Sequence, residues 1–178
     1  MTLSAAIGAR LGALDLRVEF DVAPGEVLAL LGPNGSGKTT VLRCLAGLVP
    51  LEAGRIAIDE FVVDEPARGT FVEPERRPIG LVFQDYLLFA HMTVLENVAY
   101  GLRARRTPKD QAHRAAREWV DRMGLSEYAN ERPRALSGGQ AQRAALARAL
   151  ATHPRVLLLD EPLEIGRASC RERVSECV

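Results

Sequence analysis

The chain contains no long apolar run and no excess of either charge. Its 178 residues include 23 Lys and Arg against 23 Asp and Glu, which gives a formal net charge of zero. Such a chain has no overall field that would attract nucleic acid. The apolar runs are far shorter than the roughly 20 residues of a membrane-spanning helix, and no basic segment near the N-terminus precedes a long apolar one. We therefore expect neither a membrane span nor a signal peptide, and a location in the cytoplasm.

Cysteine is also scarce, and its spacing excludes two kinds of site. Cys44, Cys170 and Cys177 show neither the paired spacing of a metal site nor that of a redox motif. We expect Cys44 to pack inside a helix. Hydrophobic residues make up 47% and charged residues 26% of the chain, which is usual for a soluble globular protein. The length suits one domain, or one domain with an inserted lobe.

A glycine-rich segment carries the strongest motif. Residues 32–40 read GPNGSGKTT and fit the phosphate-binding pattern G-x-x-x-x-G-K-[ST]. An apolar run of strand length (27–31) precedes them, and the segment that follows predicts a helix ending at Gly47. Backbone N–H groups and the helix dipole would favour phosphate at this turn. Lys38 would reach the β- and γ-phosphates of a nucleotide, and the Thr39 hydroxyl would bind Mg²⁺.

The segments around this motif predict an α/β chain with a helical insertion. Residues 3–22 alternate between apolar and charged side chains and predict one half-buried strand. The later predicted segments are strands at 55–58, 61–63 and 79–83, a surface loop at 64–78, and amphipathic helices at 94–103 and 109–123. Thr93 and Glu96 form a capping-box pattern at the start of the first of these helices. A helical lobe is therefore predicted from about residue 86 to 135.

Two more motifs lie in the second half of the chain. Residues 136–140 read LSGGQ, directly before a predicted helix at 141–151. A serine and two glycines at a helix start are typical either of a second anion-binding N-terminus or of a simple capped loop. A buried-strand pattern then ends in Asp160 and Glu161. The carboxyl end of a strand is where an α/β sheet places its chemistry, and in P-loop enzymes such acids hold Mg²⁺ and act on the attacking water.

These motifs, in this order, resemble the ATP-binding subunits of ABC transporters. The matching segments are GPNGSGKTT at 32–40, VFQD at 82–85, LSGGQ at 136–140 and LLLDEP at 157–162. The resemblance covers residues 1–163 and implies an ABC-type ATP-binding domain. Its expected fold is an α/β P-loop NTPase (RecA-like) core with an N-terminal antiparallel β portion and an inserted helical lobe, incomplete at the C-terminus.

The resemblance also implies a role for individual residues. The implied ATP-binding residues are Gly32, Asn34, Gly35, Ser36, Gly37, Lys38, Thr39 and Thr40. Thr39, Gln84 and Asp160 would serve Mg²⁺. Gln84 and Glu161 would be catalytic, with Glu161 as the general base. The LSGGQ residues Ser137, Gly138, Gly139 and Gln140 would bind the γ-phosphate of ATP held by the opposite subunit.

Such a site implies several partners. A complete site needs a head-to-tail dimer of two copies with two ATP molecules between them. The dimer would bind transmembrane permease subunits at the cytoplasmic face of the cell membrane, and through them an extracytoplasmic solute-binding protein. Residues 73–94 look like the importer branch, which handles molybdate, sulfate, polyamines, iron and sugars. The segment DEPARGTFV at 64–72 looks most similar to molybdate importer ATPases, while sulfate, polyamine and iron importers stay open.

In such importers the surface around residues 86–100 receives a short helix from the membrane subunit. The apolar side chains expected there are Tyr86, Leu88, Phe89 and Met92. They either form partly exposed contacts for that helix or pack within the helical lobe.

The chain departs from the family at both ends. No aromatic residue lies near residues 9–11, where these ATPases often stack adenine, and no adenine-stacking residue is assigned. After Leu163 the expected Leu-Asp loop and switch histidine are missing. Residues 164–178 instead resemble a translated sequencing-library adapter, because ATC GGA AGA GCG TCG TGT AGG GAA AGA GTG encodes the residues from Ile165 to Val174. We expect a non-native tail at 164–178, and little or no ATP turnover from this polypeptide.

Three classes of function remain at this point. A transport ATPase is favoured by the segment after Gln84. An ABC-type ATPase acting on DNA or ribosomes would carry long coiled coils or a second cassette, and neither is visible. Arg114 and Arg117 are interspersed with acids and lack an aromatic platform, so a solvated helix face is favoured over a nucleic-acid patch. A nucleotide-binding module without catalysis is the third class. Glu161 argues against it for the longer parent protein, whereas the expected truncation argues for it in this chain.

Overall fold

The chain divides into two compact units, each described here by itself. The computed structural model describes residues 2–12 and 14–160 and the backbone of residues 173–176. The first unit runs to Arg77 and includes residues 173–176, and the second begins at Pro78. The strands of the first unit are β1 (Leu3–Leu11), β2 (Leu14–Val22), β3 (Leu28–Leu31), β4 (Ala53–Ile58), β5 (Phe61–Glu65) and β6 (Thr70–Phe71), and its helix is α1 (Lys38–Ala46). The second unit contains β7 (Ile79–Val82), α2 (Val94–Ala104), α3 (Lys109–Arg122), α4 (Gly138–Leu150) and β8 (Val156–Leu159).

The N-terminal part of the first unit is an antiparallel sheet with strand order β2-β1-β4-β5-β6. The prediction of one strand over residues 3–22 was wrong, because β1 and β2 form a hairpin in which Leu11 lies opposite Leu14. The buried positions are odd-numbered in β1, from Leu3 to Ala9, and even-numbered at Leu16 in β2. That change of phase marks the turn, and the antiparallel β portion was predicted correctly.

The predicted surface loop at 64–78 was also wrong in part. Short 3₁₀ turns and β6 interrupt it, and two of its charged side chains are buried. Asp64 is 1% exposed and Arg77 is fully buried, and their side chains form an ion pair with 3.1 Å between Nη2 and Oδ2. Each charge makes the burial of the other tolerable, because a lone ion would be far too costly to remove from water.

A separate two-stranded parallel sheet joins β3 to the strand β9 (Arg173–Glu176), with Leu28 opposite Arg173. The sequence pattern did not predict a strand there. The remaining residues of the predicted non-native tail, and Glu161 with them, lie outside the described residues. The origin of the tail stays a prediction.

The second unit combines a parallel strand pair with three packed helices. β7 and β8 pair in parallel, with Val82 opposite Leu159. The bounds of α2 and α3 agree with the sequence prediction within one residue, whereas α4 begins three residues earlier than predicted. The helical core consists of Val94, Leu95, Val98, Ala99, Ala112, Ala116, Val120, Leu125, Ala129, Ala144, Ala147 and Ala151. Helix α4 therefore shares one core with α2 and α3. Across the described residues, no helix has the length and apolar character needed to cross a membrane.

Candidate functional site

The phosphate-loop sequence forms a turn that leads straight into α1. Gly35 and Gly37 have φ angles of 82° and 98°, a region that side chains rarely allow. The backbone angle favours glycine at Gly37, and a Cβ added there would be tight against Leu16, 3.1 Å from its Cδ1. A Cβ added at Gly35 would meet no described atom within 4 Å. The turn therefore packs against β2 at Gly37 and leaves free space beside Gly35.

The N-terminus of α1 is built to receive an anion. Gly37 is its N-cap residue and offers no side-chain cap, and no acidic residue lies in the first turn of the helix. The positive end of the helix dipole therefore faces the loop without a protein carboxylate nearby in sequence. Lys38 is half-buried, and its Nζ donates to Gly32 O and Pro33 O at 2.9 Å each. An ammonium has three donors, so two close the loop and one remains available to a phosphate oxygen.

The other end of α1 is anchored by the buried Arg77. Gly47 ends the helix with φ 78°, and its N–H donates to the carbonyls of the last turn. Arg77 Nη1 donates to Cys44 O at 3.0 Å and to Leu45 O at 2.9 Å, while Nε donates to Val72 O at 2.8 Å. A cation at a helix C-terminus stabilises the last carbonyls and the dipole. The helix that carries Lys38 is thus held at its far end by a side chain that also pairs with Asp64.

Gln84 and Asp160 lie at one edge of the β7–β8 pair. The strands are parallel and end at Val82 and Leu159, which are opposite each other. The Asp160 N–H donates to Val82 O at 3.0 Å, so Asp160 continues the pairing by one residue. Gln84 follows β7 by two residues and is exposed. The structure therefore brings Gln84 and Asp160, both predicted to serve Mg²⁺, to the same end of the strand pair, where both offer the oxygen ligands that Mg²⁺ prefers.

The LSGGQ segment caps the start of α4. Ser137 Oγ accepts from the Gln140 N–H at 3.4 Å, and Gln140 Oε1 accepts from the Ser137 N–H at 2.7 Å. A capped loop was one of the two predicted alternatives, and the capping box gives the Gln140 side chain a local role. Gly138 and Gly139 are exposed, and a Cβ added to either meets no described atom within 4 Å. Their N–H groups lie in the first turn, where a helix supplies no acceptor, so the capped start remains open to an anion beside these glycines.

The apolar segment after Gln84 divides between the two predicted alternatives. Leu88 packs against the helical core. The Phe89 ring lies 4.5 Å from the Tyr100 ring, centroid to centroid, and is half-buried. Tyr86 and Met92 are half-buried too, while Leu87 is 54% exposed. Leu88 and Phe89 therefore pack within the lobe. Leu87, which the sequence analysis did not name, is the most exposed of these apolar side chains.

Comparison with models of protein families identifies the family of the chain. A family model described as "ABC transporter" matches residues 16–164. The chain belongs to the ABC transporter family. That match spans the phosphate loop, Gln84, the LSGGQ segment and Asp160.

Named relatives of this ABC chain are import ATP-binding proteins. It is 45% identical over 157 residues to the trehalose/maltose import ATP-binding protein MalK of Thermococcus litoralis, covering 88% of the chain and 42% of MalK. It is 47% identical over 152 residues to the molybdenum import ATP-binding protein ModC of Mycobacterium tuberculosis, covering 83% of the chain and 41% of ModC. The chain thus spans less than half the length of these relatives.

A solved structure supports the fold of this ABC chain. The dimeric post-hydrolysis state of the ATP-binding cassette MJ0796, bound to ADP and Pi, matches with a TM-score of 0.72 and 30% identity, covering 92% of this chain and 75% of that one. The predicted fold class is confirmed. The phosphate loop belongs to the first unit, and Gln84, Asp160 and the LSGGQ segment belong to the second.

Sequence reasoning missed the polar side chains that support these segments. Asp64 and Arg77 stand in a charged, proline-containing stretch that is typical of a surface. Asn97 is fully buried in α2, and Arg148 is half-buried in α4. A signal was present for Arg148, which interrupts a run of alanines that faces the helical core.

Proposed function

We propose that the chain is part of the ATP-binding and ATP-hydrolysing subunit of an ABC importer, in which ATP hydrolysis drives solute uptake through membrane subunits. The observation that carries the proposal is the anion site at the start of α1. Gly35 and Gly37 adopt the left-handed conformation in its turn, and Lys38 Nζ donates to the carbonyls at the beginning of the loop. The family match adds the expectation that the bound anion is the triphosphate of ATP.

The residues of the loop fit a nucleotide triphosphate. Backbone N–H groups between Gly35 and Thr40 would bind its phosphates, and Lys38 would bind the β- and γ-phosphates with its remaining donor. Mg²⁺, when bound, would neutralise the charge that develops on the phosphates during transfer. Thr39, Gln84 and Asp160 offer it a hydroxyl, an amide and a carboxylate oxygen, the hard ligands that suit this ion.

Hydrolysis needs a base and a second copy of the chain. We propose Glu161 as the base that takes a proton from the attacking water, and Gln84 as the group that orients this water. Ser137, Gly138 and Gly139 of a second copy would complete the site from the opposite side. The open face of these glycines fits such a use, as does the dimeric state of the solved relative.

The membrane partner would bind at the segment after Gln84. Leu87, with 54% of its surface exposed, and the half-buried Tyr86 offer apolar contact area there. Permease subunits at the cytoplasmic face of the membrane are the proposed partner, and an extracytoplasmic solute-binding protein would act through them.

Molybdate is the solute we propose, and sulfate, polyamine or iron is the alternative. The support is the likeness of residues 64–72 to molybdate importer ATPases and the identity to ModC. MalK, whose name gives trehalose and maltose, is similarly close. Uptake of molybdate and sulfate, measured in cells with and without the intact gene, tests the choice. Loss of sulfate uptake alone on deletion would contradict it.

ATP binding at the phosphate loop can be measured directly. Lys38→Ala should weaken ATP binding by at least about tenfold, because a charge-assisted bond to phosphate is lost. The exposed Arg43 on α1 offers a matched control, and Arg43→Ala should leave the affinity within about twofold. Isothermal titration with ATP and Mg²⁺ gives both values. Equal affinity of the Lys38 variant and the unmodified protein would contradict a nucleotide site at this loop.

A further inference from the structure

The segment after Gln84 has an unusual backbone. Tyr86 and Leu87 have φ angles of 58° and 41°, so two consecutive residues with side chains adopt the left-handed conformation. Residues other than glycine, asparagine and aspartate seldom adopt it, and then as single residues. The Tyr86 N–H donates to Phe83 O at 3.0 Å, and the Leu87 N–H donates to Asp85 O at 2.6 Å. Such strain persists only where the surroundings hold it in place.

Arg148 is the side chain that holds this segment. Its Nη1 donates to Leu87 O at 2.7 Å and its Nη2 donates to Tyr86 O at 2.8 Å. The guanidinium carbon lies 5.5 Å from the centre of the Phe89 ring. Burial lowers the pKa of Arg148 from its ordinary value, yet guanidinium stays charged at neutral pH. One planar fork therefore binds the carbonyls of both strained residues.

A second polar side chain fixes the rest of the segment. Asn97 Oδ1 accepts from the Phe89 N–H at 2.7 Å, and its Nδ2 donates to Phe89 O at 3.1 Å and to Thr93 O at 2.9 Å. Asn97 holds the chain from Phe89 onward, and Arg148 binds the two carbonyls that lie between Gln84 and that point. Gln84 itself lies only two residues before the first carbonyl that Arg148 binds.

We propose that Arg148 is a positioning residue for Gln84, and that it ties the position of Gln84 to helix α4. Arg148 lies ten residues after Gly138, the first residue of α4, which is about 15 Å along a helix. The same rigid element therefore begins at the LSGGQ segment and ends at the strained segment beside Gln84. The inference rests on the proposed function, in which Gln84 orients the water that attacks ATP.

The test compares three variants in the full-length product of the intact gene. Arg148→Met keeps the length of the side chain and removes its donors, Arg148→Lys keeps the charge without the fork, and Arg117→Met changes an exposed arginine of α3 as a control. Hydrogen–deuterium exchange of residues 84–89 measures the hold on the segment. Titration with ATP measures nucleotide affinity, and steady-state hydrolysis measures kcat.

Arg148→Met should speed exchange at residues 84–89 and lower kcat by about ten- to a hundredfold, because a misplaced group loses that much in catalysis. The ATP affinity should stay within about twofold, since the phosphate loop is unchanged. Arg148→Lys should restore part of kcat, and the Arg117 variant should match the unmodified protein. A merely structural role of Arg148 would lower the ATP affinity and kcat together. If Arg148→Met does not fold, Arg148→Lys still provides the comparison.

Two results would overturn the inference. One is unchanged exchange at residues 84–89 in Arg148→Met, and the other is faster exchange with unchanged kcat. If the unmodified protein neither binds nor hydrolyses ATP, the proposed function itself is contradicted, and there is no hydrolysis for which Arg148 could position Gln84. The exchange arm would then still decide whether Arg148 holds the segment, so that the two failures can be told apart.

Discussion

Replacing Arg77 by methionine should destabilise the protein far more than replacing an exposed arginine. Arg77 is fully buried and binds the Asp64 carboxylate, the Val72 carbonyl and the last carbonyls of α1. Its guanidinium carbon also lies 5.1 Å from the centre of the Phe71 ring. Methionine fills much of the volume but donates no hydrogen bond, so the substitution leaves a buried carboxylate without its cation.

The expected cost follows from that unpaired charge. Removal of one partner from a buried ion pair costs about 3–5 kcal/mol, and each buried carbonyl left without a donor adds to it. Natural domains are stable by about 5–15 kcal/mol in total, so this single change would remove a large share. Arg68 provides the control, because it is 75% exposed and pairs with Glu65 at 3.3 Å. The Glu65 side chain is 15% exposed but also pairs with Arg55 at 3.6 Å, so it keeps a cation when Arg68 is replaced, and the loss should stay within the ~0–1 kcal/mol of exposed pairs.

Urea unfolding followed by circular dichroism measures both variants. Arg77→Met should lose at least about 3 kcal/mol of unfolding free energy, and Arg68→Met less than about 1 kcal/mol. Arg77→Lys keeps the charge without the fork and should fall between them, which also provides a value if the methionine variant does not fold. Equal stability of the Arg77→Met and Arg68→Met variants would refute the importance assigned to the buried pair.

Two further predictions concern titratable groups. Burial, and then Asp64, raise the pKa of the Cys44 thiol from 9.0 to about 11, so iodoacetamide at pH 8 should modify Cys44 at least about a hundredfold more slowly in folded than in urea-unfolded protein, since the thiolate is the reactive form. The neutral Cys44 thiol stabilises the folded state fully below pH 9, and this contribution is lost as the pH rises through about 11. Mass spectrometry of the Cys44 peptide measures the rate of modification, and equal rates in folded and unfolded protein would contradict the burial of Cys44. The Thr93 N–H, as the largest cause, lowers the pKa of Glu96, so the capping box should stabilise α2 above the ordinary Glu pKa of 4.5 and lose that effect as the pH falls through the lowered value. Glu96→Ala, which removes the carboxylate that accepts from the Thr93 N–H, should cost less than about 1 kcal/mol at pH 7 and less still in acid, as thermal unfolding at both pH values would show; an equal cost at both would contradict this origin.

Local features of the chain could be predicted because neighbouring residues determine them. The phosphate loop needs Gly35 and Gly37 for backbone angles that few other residues adopt, so the motif itself predicts the turn and the start of α1. The Thr93–Glu96 capping box is equally local, and the structure contains both of its hydrogen bonds. The strand before Asp160 was recognisable from its uninterrupted apolar run.

Features that depend on distant residues could not be predicted in this way. Arg148 lies 62 residues after Tyr86, whose carbonyl it binds, and no periodicity relates the two. Asp64 and Arg77 resemble surface residues because each is charged, and only their pairing explains their burial. The β1–β2 turn was missed although the buried positions change from odd to even there, which is a signal that a pattern search can use.

The central claim is that two copies of this chain enclose ATP between them, and trapping the ATP-bound state tests it most directly. Glu161→Gln in the full-length gene product should remove the proposed general base while leaving the phosphate loop and the LSGGQ segment in place. With ATP and Mg²⁺ this variant should run as a dimer in size-exclusion chromatography with light scattering, and with ADP as a monomer. The added Lys38→Ala change should abolish the dimer. A Glu161→Gln protein that binds ATP at its phosphate loop yet stays monomeric would contradict the shared site.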